Sequence, residues 1–155
     1  MTIDKPDMLL WMDVETTGLD PDRDRILEVE LRCTDMRGVL CVGGFRRVIG
    51  LEGRKASVTD GNIEAWRMHC ANGLLEDALY GGYTEEATAN ALEEYVDSLA
   101  QSFTLHPAGS NPQFDLDFIG RLCPNLPLHP HRIDMATLRA SLEAVGSEVK
   151  PEEET

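Results

Sequence analysis

Two acidic residues separated by one apolar residue, Asp13 and Glu15, close the first hydrophobic run of the chain. That run, Met-Leu-Leu-Trp-Met at residues 8–12, is short and continuous, which is typical of a strand buried on both faces. Strand periodicity directs both carboxylates to one face and Val14 to the other. Like charges at the edge of a core repel each other unless a cation lies between them, and Mg²⁺ and Mn²⁺ prefer oxygen ligands. The pair therefore indicates a metal site for phosphodiester cleavage, with two solvated acids at a strand end as the simpler alternative.

The residues around this pair resemble the first motif of the DEDD (DnaQ-like) exonuclease family. They read Asp-Val-Glu-Thr-Thr-Gly-Leu-Asp-Pro at residues 13–21 and Asp-Arg-Ile-Leu-Glu-Val at residues 24–29. A second block, Gly-Ser-Asn-Pro-Gln-Phe-Asp-Leu-Asp-Phe-Ile at residues 109–119, is similar to the family's Asn-x-x-Phe-Asp element. The resemblance implies a ribonuclease-H-like (exonuclease) fold and hydrolysis of nucleotides from the 3′ end of single-stranded DNA or short RNA.

The resemblance also implies which carboxylates are catalytic. Asp13, Glu15 and Asp115 match the family's metal ligands, and they would hold two Mg²⁺ or Mn²⁺ ions. Asp115 would begin a helix that follows a strand. Asp117 comes two residues later, points elsewhere on a helix, and is expected to be a solvated neighbour.

A third stretch is similar to the oligoribonuclease branch of that family. It reads Glu-Ala-Trp-Arg-Met-His-Cys-Ala-Asn-Gly-Leu-Leu at residues 64–75. In that branch the residues matching Leu19 and His69 pack against the two bases of a very short substrate, because an apolar wedge contacts base faces without reading sequence. The alternatives are a helix-end histidine that satisfies a carbonyl and a loop leucine that covers the core. Thr16 and Trp66, in the same motifs, complete this part of the expected substrate site.

Two further substrate contacts are implied near His-Arg-Ile-Asp at residues 131–134. Arg132 is the candidate for the phosphate-capping arginine of oligoribonuclease, and His131 is its competitor. Thr137 falls where the family places a hydroxyl near the terminal phosphate. An arginine beside a strand and a threonine on a helix need no special role, so the ordinary interpretation stays open for both. The branch also implies a homodimer.

The family's last motif, a histidine followed five positions later by an aspartate on a helix, has no counterpart after the last recognisable helix. His129 and Asp134 have this spacing, but they lie at a proline-flanked loop and we interpret the match as chance. One hypothesis is a fragment or shortened gene product with an incomplete catalytic set, which would be a catalytically impaired module that binds nucleic acid or protein. The other is that His106, His129 or His131 substitutes for the missing general base.

Hydrophobic periodicity predicts the elements that position these residues. Strands are predicted at residues 8–15, 26–34, 39–49, 103–108 and 132–133, and helices at residues 60–72, 84–99, 114–122 and 135–145. Residues 35–38 predict a hairpin turn, Gly43 and Gly44 a bulge, and Thr84 a helix cap. This order predicts an α/β fold with a central mixed sheet, whose first three strands are antiparallel, flanked by helices. Residues 1–146 are expected to form one domain, and residues 147–155 a charged, disordered tail.

Composition limits the classes of function that are open to the chain. With 155 residues, of which 42% are hydrophobic, it suits a single globular domain with a buried core. Its 28 acidic and 14 basic residues give a net charge of −14, which excludes a broad basic surface that grips duplex nucleic acid. No apolar run suits a membrane span, the first residues lack the pattern of a signal peptide, and the four cysteines form no Cys-x-x-Cys pair. We therefore expect a cytoplasmic protein with reduced thiols.

Overall fold

The computed structural model describes residues 4–51, 68–69 and 71–147. Its strands are β1 (Asp7–Thr16), β2 (Ile26–Thr34), β3 (Cys41–Val48), β4 (Thr104–Gly109) and β5 (Ile133–Asp134). Its helices are α1 (Leu74–Tyr80), α2 (Glu85–Ala100), α3 (Pro112–Leu122) and α4 (Met135–Ala144).

The strands form one mixed sheet in the order β3-β2-β1-β4-β5. β1, β2 and β3 are joined as an antiparallel meander, whereas β4 runs parallel to β1 and β5 runs parallel to β4. This arrangement confirms the predicted α/β class and the three antiparallel opening strands. Because β1, β4 and β5 run in the same direction, their carboxyl ends meet at one edge of the sheet.

The hydrophobic core lies between one side of this sheet and the helices α2 and α3. Met12 and Val14 of β1 point into it, as strand alternation predicts for the residues that flank Asp13. Leu92 and Val96 of α2 are fully buried, four residues apart on one helical face. Burial of this face fixes α2 on the sheet.

Local sequence signals end the elements where expected. Asp35 forms the β2–β3 turn through hydrogen bonds that its carboxylate accepts from the N–H groups of Val39 and Leu40, at 2.9 and 3.3 Å. Gly38 takes the left-handed conformation, with φ of 72°. The predicted bulge is confirmed, since the β2–β3 register shifts beside Gly43. Thr84 caps α2 by accepting the N–H of Ala87 at 3.0 Å.

The prediction was wrong at α1, where it placed no helix. Gly73, in the left-handed conformation with φ of 78°, precedes this helix without a side-chain cap, so the usual Ser, Thr or Asp start signal is missing. Most of the predicted helix at residues 60–72 lies outside the described residues, although residues 68–69 and 71 are helical. The predicted tail also lies outside them, apart from residue 147. No described helix combines the length and the apolar character needed to cross a membrane.

Candidate active site

The third predicted carboxylate is anchored on the strand that carries the first two. Asp115 Oδ1 accepts the backbone N–H of Val14 at 2.9 Å, across a separation of 101 residues. Asp115 is only 6% exposed and lies in the first turn of α3, where the helix dipole favours a negative charge. Gly109 permits the close approach of β4, because a Cβ atom there would lie 3.2 Å from the carbonyl oxygen of Met12. The structure thus brings Asp115 to the end of β1.

Asp13 and Glu15 share one side of β1 and face further acids on β2. In the strand register Asp13 lies opposite Glu30, and Glu15 lies opposite Glu28. Like charges directly opposite each other on neighbouring strands are destabilising. Glu28 and Glu30 were not predicted to be parts of this surface. The alternation of polar residues along β2 indicates that both point to one side of the sheet. The register that aligns them with Asp13 and Glu15 cannot be read from the sequence.

Arginines neutralise the two acids of β2. Arg46 pairs with Glu28 at 2.8 Å, and Arg32 pairs with Glu30 at 3.0 Å. Both arginines are mostly exposed, so these pairs add little stability by themselves. Their positive charges offset part of the repulsion that Glu28 and Glu30 exert on the acids of β1.

The catalytic candidates take up protons more readily than ordinary carboxyls do. Burial, followed by the charges of Asp13 and Glu15, raises the pKa of Asp115 to about 6, although the hydrogen bond from Val14 opposes this. Burial and the charge of Glu30 raise the pKa of Asp13. Burial and the charge of Asp13 raise the pKa of Glu15, while His69 acts in the opposite direction. Each of the three carboxylates is therefore destabilised in its charged form, as expected for an acidic site that a cation would complete.

The donor set fits a hard divalent cation in chemistry and charge. The three carboxylates would supply oxygen ligands, and a bound cation would relieve their mutual repulsion. In the positions that the described side chains occupy, no three His, Cys, Asp or Glu residues converge closely enough to enclose a metal ion. Asp13, Glu15 and Asp115 thus form an open acidic site.

The loop after β1 is held together by its own polar residues and presents Leu19 at the surface. Thr17 donates its hydroxyl to Asp24 at 3.3 Å, and the Asp24 carboxylate accepts the Asp20 N–H at 2.9 Å. Leu19 is 72% exposed, so it does not cover the core. The structural role of Asp24 was not predicted, although the residue belongs to the quoted motif.

His69 has the geometry of a histidine that satisfies a backbone carbonyl, the structural alternative to a contact with a base. Its Nε2 lies 2.7 Å from the carbonyl oxygen of Thr16, and the residue is only 1% exposed. The hydroxyl of Thr16 is buried as well and donates to the carbonyl of Gly18 at 2.6 Å. Both buried side chains therefore hold the backbone at the start of the loop after β1. Trp66 lies outside the described residues.

Arg132 and Thr137 flank the short strand β5 at the edge of the sheet. Arg132 is exposed and directly precedes β5. Thr137, in the first turn of α4, donates its hydroxyl to Asp134 Oδ2 at 3.0 Å. The hydroxyl of Thr137 thus belongs to the cap of α4.

The three remaining histidines cluster away from the catalytic candidates. The rings of His106 and His129 lie 4.3 Å apart, those of His129 and His131 lie 5.0 Å apart, and His106 pairs with Asp7 at 2.8 Å. In the sheet register His106 lies beside Leu9, four residues before Asp13 and about 13 Å away at the usual strand rise. This arrangement places His106 away from Asp13 along the sheet, and the hypothesis that one of the three histidines replaces the general base stays a prediction.

Sequence comparison relates the chain to oligoribonucleases. It is 31% identical over 140 residues to the oligoribonuclease of Sodalis glossinidius (strain morsitans), covering 84% of this chain and 72% of the relative. The values for Escherichia coli (strain K12) oligoribonuclease are 31% over 144 residues, with 84% and 72% covered. For the oligoribonuclease of Dichelobacter nodosus they are 30% over 143 residues, with 88% and 76% covered. No protein-family model matches the chain.

Structure comparison finds the same fold in exonuclease I. E. coli exonuclease I in complex with a dT13 oligonucleotide superposes with a TM-score of 0.70 at 18% identity, over 96% of this chain and 32% of the other. Exonuclease I from Methylocaldum szegediense gives a TM-score of 0.64 at 21% identity, over 94% and 32% of the two chains. This chain thus spans about a third of those enzymes and shares the fold of that part. From its identity to oligoribonucleases and from this fold, the chain belongs to the oligoribonuclease family of DEDD-type 3′–5′ exonucleases.

Proposed function

We propose that this chain hydrolyses phosphodiester bonds at the 3′ ends of short RNA or single-stranded DNA in a metal-dependent reaction. One observation carries the proposal: Asp115 is hydrogen-bonded to Val14, the residue between Asp13 and Glu15. This hydrogen bond supports a site in which Asp115 lies at the same edge of the sheet as Asp13 and Glu15. Family membership at 31% identity supports the same reaction class.

Two Mg²⁺ or Mn²⁺ ions are the proposed cofactors. Asp13, Glu15 and Asp115 would bind them through carboxylate oxygens, and the raised pKa values of all three reflect burial and repulsion that an added positive charge would offset. When bound, such a pair supplies an activated water and stabilises the leaving oxygen. Metal binding also occurs in a structural relative, since E. coli exonuclease I has been solved with a zinc ion and single-stranded DNA.

The proposed substrate is a strand end that is held by few contacts. Leu19 is exposed at the tip of the loop after β1 and can pack against a base. Arg132 is exposed at the β5 edge, where it can meet a phosphate. The net charge of −14 disfavours binding along a long polyanion and suits a short substrate. Substrate binding would also depend on three residues that support these contacts. The hydrogen bonds of His69 and Thr16 would hold the loop that presents Leu19, and that of Thr137 would hold the start of α4.

A homodimer and a cytoplasmic location complete the proposal. The dimer rests on the resemblance to oligoribonuclease, and sedimentation of the purified chain at several concentrations tests it. The location is supported by free thiols at Cys33, Cys41 and Cys123 among the described residues.

The activity is tested with a 5′-labelled RNA dinucleotide and a labelled single-stranded DNA, each incubated with the chain and MnCl₂. Asp13→Ala is the inactive control. We expect cleavage by the wild-type chain alone, and the preferred substrate distinguishes RNA from DNA. Failure to cleave either substrate while Mn²⁺ still binds would overturn the proposal and favour a catalytically impaired binding module on the same fold.

A further inference from the structure

Asp134 connects the starts of two helices at the edge of the sheet that carries the carboxylates. Its Oδ1 accepts the N–H of Asn111 at 3.1 Å and the N–H of Ala136 at 3.0 Å. Its Oδ2 accepts the hydroxyl of Thr137 at 3.0 Å. One side chain thus caps α4 and also holds the residue that precedes α3.

The conformation of Asn111 determines where α3 begins. Asn111 has φ of 56° and ψ of 60°, and it is the one described non-glycine residue with positive φ. This left-handed conformation is unfavourable for most residues and persists where neighbours hold it. The side chain of Asn111 does not cap α3, so the hydrogen bond from its N–H to Asp134 is a specific restraint on this turn.

The restrained turn leads directly to Asp115. Pro112 is the first residue of α3, and Asp115 follows in the first turn of the helix. A change in the Asn111 turn would rotate or shift that first turn. The hydrogen bond from Val14 to Asp115, which requires a donor–acceptor distance near 2.9 Å, would then be lost.

On the basis of the proposed function, we propose that Asp134 is a positioning residue of the metal site, which holds the Asn111 N–H so that Asp115 stays on β1. Two N–H groups and a hydroxyl hold its oxygens, and the N–H of Asn111 is its link to the helix that carries Asp115. These hydrogen bonds, the one from Asn111 foremost, also lower the pKa of Asp134. The residue therefore stays charged at neutral pH, as an acceptor for three donors must.

Two substitutions separate the positioning role from the helix cap. In Asp134→Ser the hydroxyl still caps α4, because serine is a good cap, but the shorter side chain cannot also hold Asn111. In Asp134→Asn the amide oxygen can accept both N–H groups, so the restraint is kept. Thr84→Ala is the matched control, since it removes the same kind of cap from α2, a helix that carries none of the catalytic residues.

The experiment measures Mn²⁺ binding to each purified chain by titration calorimetry with MnCl₂, together with thermal unfolding of the same samples. We expect Asp134→Ser to weaken Mn²⁺ binding about tenfold, as is typical when the partner that orients a metal ligand is removed. Asp134→Asn should remain within about threefold of the wild type. Thr84→Ala should lower the unfolding temperature without changing Mn²⁺ affinity.

Three outcomes would overturn the inference: unchanged Mn²⁺ binding in Asp134→Ser, equally weak binding in Asp134→Asn and Asp134→Ser, and no Mn²⁺ binding by the wild-type chain. A wild-type chain that binds Mn²⁺ but cleaves no substrate contradicts the proposed function alone. The binding data would still decide the role of Asp134 in that case.

Discussion

The Val14 N–H is hydrogen-bonded to the Asp115 carboxylate at 2.9 Å. The apolar residue between the two acids that we propose as metal ligands therefore has two roles, since its side chain fills the core and its backbone holds the third acid. This relationship explains how a helix distant in sequence delivers a carboxylate to β1.

The acidic site predicts an unusual pH dependence of stability without metal. The folded pKa of Asp115 is about 6, above the ordinary 3.8, so the folded chain binds more protons than the unfolded chain between these values. Stability should therefore fall as pH rises from 4 to 6, by about 2 kcal/mol after allowance for solvent screening. Urea unfolding in EDTA at several pH values measures this change. Asp115→Asn should flatten the profile, and an equally steep profile in that variant would contradict the assignment.

Divalent cations should reverse the instability of the charged site. At neutral pH, Mn²⁺ at 100 times its dissociation constant should stabilise the chain by about 2.7 kcal/mol. That corresponds to a rise in unfolding temperature of roughly 5–10 °C for a domain of this size. Differential scanning fluorimetry of the wild type and of Asp115→Asn tests this effect. A rise of equal size in Asp115→Asn would show that the cation binds elsewhere.

The loop that presents Leu19 should not tolerate a side chain at Gly18. A Cβ atom there would lie 2.4 Å from the Asp24 carboxylate, which holds the loop through Thr17 and Asp20. We expect Gly18→Ala to cost about 1–2 kcal/mol of stability and to raise KM for a dinucleotide more than it lowers kcat.

Gly120→Ala is the matched control for this substitution. Its added methyl meets nothing within 4 Å in α3, so it should leave KM unchanged and stabilise the chain slightly. Equal KM values for Gly18→Ala and the wild type would contradict a role for this loop in substrate binding.

Local patterns in the sequence predicted much of the fold. The bounds of β2 at residues 26–34 and the Thr84 cap are confirmed because alternation and capping depend on neighbours in the chain. Helix α1 was missed because it is short and lacks a side-chain cap. The bulge near Gly43 was predicted because a glycine inside a strand often marks a bulge.

The site was harder to predict, because it depends on register and on contacts between distant residues. Alternation placed Asp13 and Glu15 on one side of β1, but only the pairing of β1 with β2 puts Glu30 and Glu28 opposite them. The hydrogen bond from His69 to the Thr16 carbonyl crosses 53 residues. Such partners cannot be deduced from the spacing of residues along the chain.

Whether Asp115 acts in catalysis through a metal site is tested by comparing Asp115→Asn with Asp117→Asn. Both substitutions remove one charge from α3, but Asp117 is exposed and accepts a hydrogen bond from Gln113. The measurement is the cleavage rate of a 5′-labelled RNA dinucleotide with MnCl₂ for both variants and the wild type. We expect Asp115→Asn to lose on the order of 10³-fold in rate, because ligands of one site act as a unit, while Asp117→Asn stays near the wild type. Equal rates for the two variants, or cleavage by the wild type that persists in EDTA, would contradict this role of Asp115.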